Sequence, residues 1–504
     1  MQLRELIANL APLRVEGDLD TGVTGIAYDS RRVFPGMLFV ALPGRESDGH
    51  DHIHAAIDRG ACGVVCERNG FGLRRAACIR VADTRAALAR ASASFYGHPS
   101  RELGVVGITG THGKTTVAFL LQHILAVAGR GSGLISTVRY DVGGRTIPAQ
   151  RSTPEALDLQ CMMAQMARAG SRHCILEVSS HALAQRRVDE VEFDVGVFTN
   201  LGHDHLDYHG SAESYYASKR RLFELLGQGG KPGVALLNTD DPAGLRLAQE
   251  LPGVRRLTYG LSGLPDIRGQ VVYAGAAGSR VEVATPAGGF EVDLPLLGGF
   301  NVANALGAAG VALAMGVSTE VIREALESMP QVPGRLERVE AGQPFRVVVD
   351  YAHTEQSLGG VLAALREVTQ RRLVLVFGCG GERDRLKRAA MGRVAGRLAD
   401  EVVVTTDNPR REDPERIAAE ITSGFEAGQR ARWRVELDRG RAIEESLQGA
   451  QDGDTVLIAG KGHEAYQERA DTVVPFDDRL VAVGVLEGLG WRPEGGLVAE
   501  GGVS

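Results

Sequence analysis

The sequence predicts an α/β protein of three domains. Apolar runs of strand length recur along the chain, each closing on glycine or a polar cluster before a helical pattern, and that alternation builds parallel sheets. The chain has 504 residues, and at roughly 150 residues per unit this makes about three domains. Hydrophobic residues at 44% and charged residues at 24% supply sizeable cores and exclude a disordered or fibrous chain. Glycine is abundant, with 65 copies and no triplet period. Collagen is therefore excluded, and tight turns and close backbone approaches are expected instead.

Residues 1–100 form the first unit. There YDSRRVFPGMLFVAL supplies a strand, DGHDHIHAAIDRG a helix and ACGVV another apolar run. The turn-like GHPSRELG closes it. Residues 101–333 carry the runs Leu103 to Ile108, Cys174 to Val178, Val195 to Phe198 and Val234 to Leu237, with the helical stretch VAFLLQHILAVAG after the first. The segment MPQVPGR marks the next boundary. Residues 334–504 repeat the pattern with Phe345 to Val349, Leu373 to Phe377, Val402 to Thr405 and Val456 to Ile458. These four runs lead into DYAHTE, GCGGERD, TDNPR and AGKGHE. Ligands gather at the carboxyl ends of parallel strands, so four chemically loaded ends imply one composite site. The closing EGGLVAEGGVS is expected to fray.

Acids number 63 and bases 56, a formal charge of -7, so a sequence-independent grip on nucleic acid is excluded and phosphate binding must be local. The N-terminal MQLRELIANLAPLRVEGD carries acids and a proline where a secretory signal needs an apolar core. No apolar run reaches the roughly 18 residues of a membrane span. A soluble, cytoplasmic protein is expected. The six cysteines include no CxxC pair, which fits reduced core thiols.

The strongest local signal is Gly107-Ile-Thr-Gly110-Thr111-His112-Gly113-Lys114-Thr115-Thr116, between a strand and a helix. A glycine-rich turn lets backbone amides face a phosphate at a helix N-terminus, Lys114 can neutralise the outer phosphates, and Thr115 offers a hydroxyl to magnesium. Ile108 stands where the standard P-loop has its first glycine, so the motif is the tighter GxxGKT. ATP binding is the expectation.

Two further clusters follow strands: Glu177-Val-Ser179-Ser180-His181, and His203-Asp204-His205-Leu-Asp207-Tyr-His209. Imidazoles and carboxylates so placed can hold a divalent ion, which in a phosphate site is usually magnesium. On these residues alone zinc hydrolysis stays open. Lys219, in SAESYYASKRRLFELL beside Arg220 and Arg221, reads as part of a solvated basic helix face.

The GxxGKTT loop, EVSSH, HDHLDYHG, LGGFNVANALGA, DYAHT and AGKGHE, in this order over nearly the whole chain, resemble the Mur ligases of peptidoglycan synthesis. AYDSRRVFPGMLFVAL, STPEALDLQ and Asp407-Asn408-Pro409-Arg410 resemble the branch that adds the third stem-peptide residue. The resemblance implies a first domain for a UDP-sugar, a central ATP domain and a C-terminal Rossmann-like amino-acid domain. It implies amide formation through an acyl phosphate, with UDP-muramoyl dipeptide and meso-diaminopimelate as substrates, magnesium as cofactor and a monomer.

By the same resemblance, Ser30 is similar to the uridine contact, and Ser152, Thr153, Ser179, Gln185 and Arg187 to contacts with the muramoyl dipeptide. Thr115, Glu177 and His205 look like magnesium ligands. Lys219 looks like a lysine that the family carbamylates, which makes Lys114, Lys219 and His205 the catalytic set. Asn301 and Asn304 resemble adenine-side residues, and Arg335 and Asp350 the hinge and ribose region. Arg383, Asp407, Asn408, Pro409, Arg410, Gly460 and Glu464 resemble the diaminopimelate pocket. Three positions depart from the pattern. His112 replaces a usual asparagine, Arg151 stands before STP where asparagine is frequent, and Glu355 replaces a common proline, which is expected to loosen the hinge turn.

Four competing classes make different demands. A motion-coupled P-loop ATPase should carry the full GxxxxGK[ST], and a folylpolyglutamate synthetase should lack the first domain. A metal phosphohydrolase would leave the phosphate loop idle, and a non-catalytic sugar-nucleotide binder would have lost Lys114, Lys219 or His205. A ligase of the same type using L-lysine is separated only by its amino-acid pocket.

Overall fold

A computed structural model describes residues 1–44, 47–69 and 75–492. The expected frayed tail lies outside the described residues. Three separate sheets, within residues 14–80, 104–294 and 337–459, carry the architecture, beside a small two-stranded hairpin of Tyr466–Arg469 and Thr472–Pro475. The expected α/β class holds.

The first sheet runs in the order Arg14–Glu16, Ala77–Arg80, Gly63–Cys66, Met37–Val40, Gly25–Ala27. Its inner pairs are parallel and only the Arg14–Glu16 pairing is antiparallel. Successive residues of a strand face opposite sides. Accordingly Leu38 and Val40 join a core with Leu3, Leu6 and Leu88, while Phe39 joins Ile53 and Val64 on the other face.

The central sheet has eleven strands. Its middle is parallel, with Gly104–Thr109 between His173–Glu177 and Val195–Phe198. This is the buried, β-branched centre the apolar runs predict. Antiparallel additions flank it: Arg139–Val142 and Arg145–Pro148 on one side, Gly278–Thr285 and Gly288–Leu294 on the other. Helices Lys114–Val127 and Gly299–Ala314 pack on one face, burying Val117, Leu121, Val302 and Leu306 in one core.

The C-terminal sheet orders Glu337–Arg338, Arg346–Asp350, Thr455–Ala459, Leu373–Phe377, Glu401–Val404 and Arg432–Val435. Thr455–Ala459, late in the chain, inserts between the first two parallel strands of this unit. That insertion is a topological switch point, where strand ends diverge and leave a crevice.

Two expectations change here. Lys219 lies on helix Ala212–Glu224 but is only 1% exposed, so it is not on a solvated face; it shares the buried stripe of Tyr215 and Leu222. Glu355 does not loosen its turn. It is the first residue of helix Glu355–Val368, behind a capping box made by Thr354 and Ser357, and an acidic residue in the first turn complements the helix dipole. Of the six thiols, Cys66, Cys174 and Cys379 are buried, and Cys62, Cys78 and Cys161 are half-buried; all are free. No described helix is long and apolar enough to cross a membrane.

Candidate active site

The phosphate loop leaves Gly104–Thr109 and enters helix Lys114–Val127 through Gly113, whose φ of +86° only glycine adopts readily. A Cβ on Gly113 would stand 2.3 Å from Asn304 Oδ1, and one on Gly110 would stand 1.8 Å from Thr199 Oγ1. Both glycines therefore permit close packing under the loop. The loop is braced from the neighbouring strand end. Asn200 Oδ1 accepts from His112 N at 2.9 Å, and Thr199 Oγ1 donates to His112 O at 2.6 Å. Thr111 Oγ1 meets Tyr215 OH at 3.1 Å. Neither Thr199 nor Asn200 was legible as functional, although the polar pair that ends the run Val195 to Phe198 is the signal.

Two ammonium groups converge on this loop. Lys114 Nζ donates to Gly110 O and Thr111 O, both at 2.9 Å, and Lys219 Nζ donates to Gly110 O at 2.8 Å while lying 4.4 Å from the Tyr215 ring centroid. Burial, and for Lys219 the neighbouring Lys114, holds both below the ordinary lysine range. Such a pair asks for an anion. Glu177 and Asp204 supply opposite charge to Lys114. Glu177 is fully buried, its two oxygens accepting from Thr137 N at 3.0 Å and Thr137 Oγ1 at 3.1 Å.

His205, by contrast, is exposed, with a positive φ of 55°. Its ring lies 4.7 Å from that of His181, and its Nε2 is 3.4 Å from Asp204 Oδ2. Among the described residues no three His, Cys, Asp or Glu side chains converge as a metal centre. The oxygen donors Glu177 and Thr115 suit magnesium. Lys219 as a free ammonium offers a cation nothing, so it joins such a set only if converted to an anion.

The residues expected on the dipeptide side lie near one another. Thr153 Oγ1 donates to Glu177 O at 2.8 Å and accepts from Ser179 N at 3.0 Å. Ser152 Oγ lies 2.8 Å from Thr137 Oγ1 and is the donor there, since the single Thr137 hydroxyl hydrogen is used on Glu177. Arg187 reaches Thr153 O at 2.9 Å, Gln185 Oε1 at 2.7 Å and Glu155 at 2.9 Å. Arg151 instead pairs with Glu155 at 3.0 Å from an exposed position. Ser30 opens the short helix Ser30–Arg32 in the first domain, and the adjacent Tyr28 reaches the central domain, donating to Asp158 Oδ2 at 2.6 Å.

Between the central and C-terminal sheets, Arg335 Nη2 donates to Thr115 Oγ1 at 3.1 Å and its guanidinium lies 4.6 Å from the Tyr351 ring centroid. Asp350 accepts from Leu336 N and Ala352 N, each at 2.7 Å, so it fixes the turn, and burial raises its carboxyl above the usual range. Asn304 Nδ2 donates to Asn301 Oδ1 at 3.1 Å on helix Gly299–Ala314, and Asn304 is the one that lies against Gly113.

The C-terminal loops meet at the switch point. A Cβ on Gly460 would stand 2.7 Å from Asp407 Oδ2, so glycine is required for that approach. Asn408 Nδ2 donates to Glu464 Oε2 at 2.9 Å. Pro409 lies against Gly381, whose Cβ would stand 1.9 Å from Pro409 O. Arg410 takes a positive φ of 53° and spends Nη1 on Gly381 O at 2.8 Å and Nε on Glu468 at 2.7 Å. Arg383 is exposed on the neighbouring loop. The buried Lys461 and the buried pair Arg439 and Asp478 were not singled out by sequence. A lysine inside AGKGHE and a lone arginine carry no periodic signal.

A fold of three α/β units, a GxxGKT loop facing buried lysines and a polar crevice in the last unit define an ATP-using ligase scaffold, and the chain belongs to the Mur ligase family. The Mur ligase middle domain matches residues 108–312, the glutamate ligase domain 334–462 and the catalytic domain 22–96. The chain is 44% identical over 98% of its length to the UDP-N-acetylmuramoyl-L-alanyl-D-glutamate--2,6-diaminopimelate ligase of Solibacter usitatus, covering 99% of that protein. A solved structure of a ligase of that name is 31% identical, with a TM-score of 0.67 over 97% of this chain and 99% of the other. A MurF ligase from Thermotoga maritima in complex with ADP shares the fold at a TM-score of 0.63 and 21% identity, over 88% and 95% of the two chains.

Proposed function

We propose that this chain is an ATP-dependent amide ligase that adds meso-2,6-diaminopimelate to UDP-N-acetylmuramoyl-L-alanyl-D-glutamate in peptidoglycan synthesis. The observation that carries the reading is the full-length likeness at 44% identity to a ligase of that name. In its support, Lys114 and Lys219 both donate to Gly110 O, just past the end of strand Gly104–Thr109, and Asp407 to Arg410 follow strand Glu401–Val404.

In this reading the D-glutamyl carboxylate attacks the γ-phosphorus of ATP and ADP leaves. The amine of diaminopimelate then attacks the acyl carbon, the C–N bond forms, phosphate departs and the amine loses a proton. Lys114 and the loop amides hold the phosphates and offset charge as it moves to the leaving oxygen. Asn301 and Asn304 border the adenine, and Arg335 and Asp350 the ribose and hinge. Ser30, Ser152, Thr153, Ser179, Gln185 and Arg187 hold the sugar-nucleotide dipeptide. Arg383, Asp407 to Arg410, Gly460 and Glu464 take the amino acid. Magnesium, held by Thr115, Glu177, His205 and a carbamylated Lys219, would supply charge neutralisation between triphosphate and carboxylate. Closure of the three proposed domains, 1–100, 101–333 and 334–504, shields the acyl phosphate from water. A monomer acting in the cytoplasm completes the proposal.

The test is ADP release, which should require both the UDP-muramoyl dipeptide and diaminopimelate. Release with ATP alone would refute the ligase reading. Mass spectrometry of gently handled native protein should find one added carboxyl group on Lys219. An unmodified lysine in fully active enzyme would refute the carbamate.

A further inference from the structure

Beneath the amino-acid crevice sits a charge that the motifs leave without a role. The Lys461 side chain is completely buried in the loop that follows Thr455–Ala459. A buried ammonium persists only where its N–H groups are well bonded, because desolvation penalises it heavily. Its Nζ donates to Asn408 Oδ1 at 3.1 Å and to Glu464 Oε2 at 3.2 Å, and lies 5.4 Å from the Tyr466 ring centroid. Both acceptors belong to the crevice.

The consequence for Asn408 is geometric. Its Oδ1 accepts from Lys461 Nζ and from Glu468 N at 3.0 Å, while its Nδ2 donates to Glu464 Oε2 at 2.9 Å. Turning the amide over would set its NH2 against two donors and its oxygen against a carboxylate, so one orientation is locked. The consequence for Glu464 is directional. Oε2 is engaged by Lys461 and Asn408, while Oε1 accepts only a long 3.4 Å bond from Tyr351 OH and keeps acceptor capacity for a cationic partner.

We infer that Lys461 is a positioning residue: it fixes the Asn408 amide and aims Glu464 at an ammonium group of the amino-acid substrate, and so sets preference for a zwitterionic head. The inference rests on the proposed diaminopimelate reading of this crevice. The groups facing Glu464 are Lys461, Asp407, Tyr351, Tyr466 and the buried Arg439. Burial raises the Glu464 carboxyl and Lys461 opposes that rise. Removing the positive neighbour must therefore raise it further.

The test is steady-state ADP release by the full chain. Wild type without diaminopimelate-dependent release would sink the proposed function, and this inference with it. Given an active wild type, Lys461→Met should raise KM for diaminopimelate about thirtyfold, with KM for ATP and for the UDP-dipeptide changed less than about threefold. The acid limb of kcat/KM for diaminopimelate should move about one unit to higher pH. In a Glu464→Gln background the same change should cost less than about threefold, because the two act as a unit. If Lys461→Met does not fold, Lys461→Gln, which keeps a donor for Asn408 without the charge, is read in the same way. An unchanged KM for diaminopimelate, an equal rise in all three KM values, an unmoved acid limb or full additivity with Glu464→Gln would overturn the inference.

Discussion

In the proposed function Lys114 and Arg410 face the two charged reactants. Lys114→Ala removes a cation aimed at phosphate charge that builds in the transition state. Turnover should fall at least about a hundredfold, measured as ADP release at saturating substrates; near-normal turnover would make the loop structural. The same proposal makes Arg410 the residue that selects the amine. Diaminopimelate differs from lysine by one far carboxylate, which a guanidinium can clamp with parallel hydrogen bonds. Wild type should therefore prefer diaminopimelate over L-lysine by roughly a hundredfold, and Arg410→Ala should erase most of that ratio in a competition assay. Its bonds to Gly381 O and Glu468 preset the guanidinium, so part of its donor set is already committed to holding it still.

Segments with a chemical signature were the ones legible in the sequence. Val195–Phe198 and Leu373–Phe377 coincide with their apolar runs because strands buried on both faces read as continuous apolar stretches. The outer strands went unread. Gly278–Thr285 buries only alternate residues, and a half-buried period of two without a turn motif is a weak signal. Lys219 looks solvated in the sequence for a related reason. Its exposed-looking neighbours Arg220 and Arg221 dominate the local charge, yet Tyr215, Lys219 and Leu222 fall at helical spacing on one buried stripe. At the other end of the loop, Gly113→Ala tests how a helix start is built. The left-handed φ and the clash with Asn304 should cost about 1–2 kcal/mol of local strain. KM for ATP should rise about tenfold while the thermal midpoint drops only slightly, and an unchanged KM would detach the helix start from nucleotide binding.

Three buried histidines are held neutral where the units of the molecule meet. Burial lowers His112 to about 3, His353 to about 4 and His463 to about 3, from an unfolded value of 6.5. Below pH 6.5 the unfolded chain takes up protons that the folded chain refuses, so stability is present above that value and is lost as pH falls toward 4. Each refused proton contributes a slope of up to about 1.4 kcal/mol per pH unit. Denaturant titrations should show stability falling from near pH 6, above the range where carboxylates titrate, and a flat profile between pH 6.5 and 5 would contradict this burial. All three rings lie around the junction of the central and C-terminal units, where His463 Nε2 meets Thr137 O at 3.2 Å. Of the three, the sequence singles out His112, while His353 and His463 sit inside DYAHT and AGKGHE with no role of their own. Their dehydration depends on how the units pack, which no local pattern encodes.

The eleven-stranded central sheet ends in Arg145–Pro148 on one side and Gly288–Leu294 on the other. A sheet this wide would recruit further strands from other molecules if its borders were flat and apolar. One border is exposed along its whole length and carries Arg145 and Pro148, a residue with no amide hydrogen to donate. The other turns Glu291 and Asp293 outward. Like charges meeting like charges, and a missing donor, oppose fibre-like stacking, so the same sheet that seats the phosphate loop can stay discrete at the concentrations of a crowded cell.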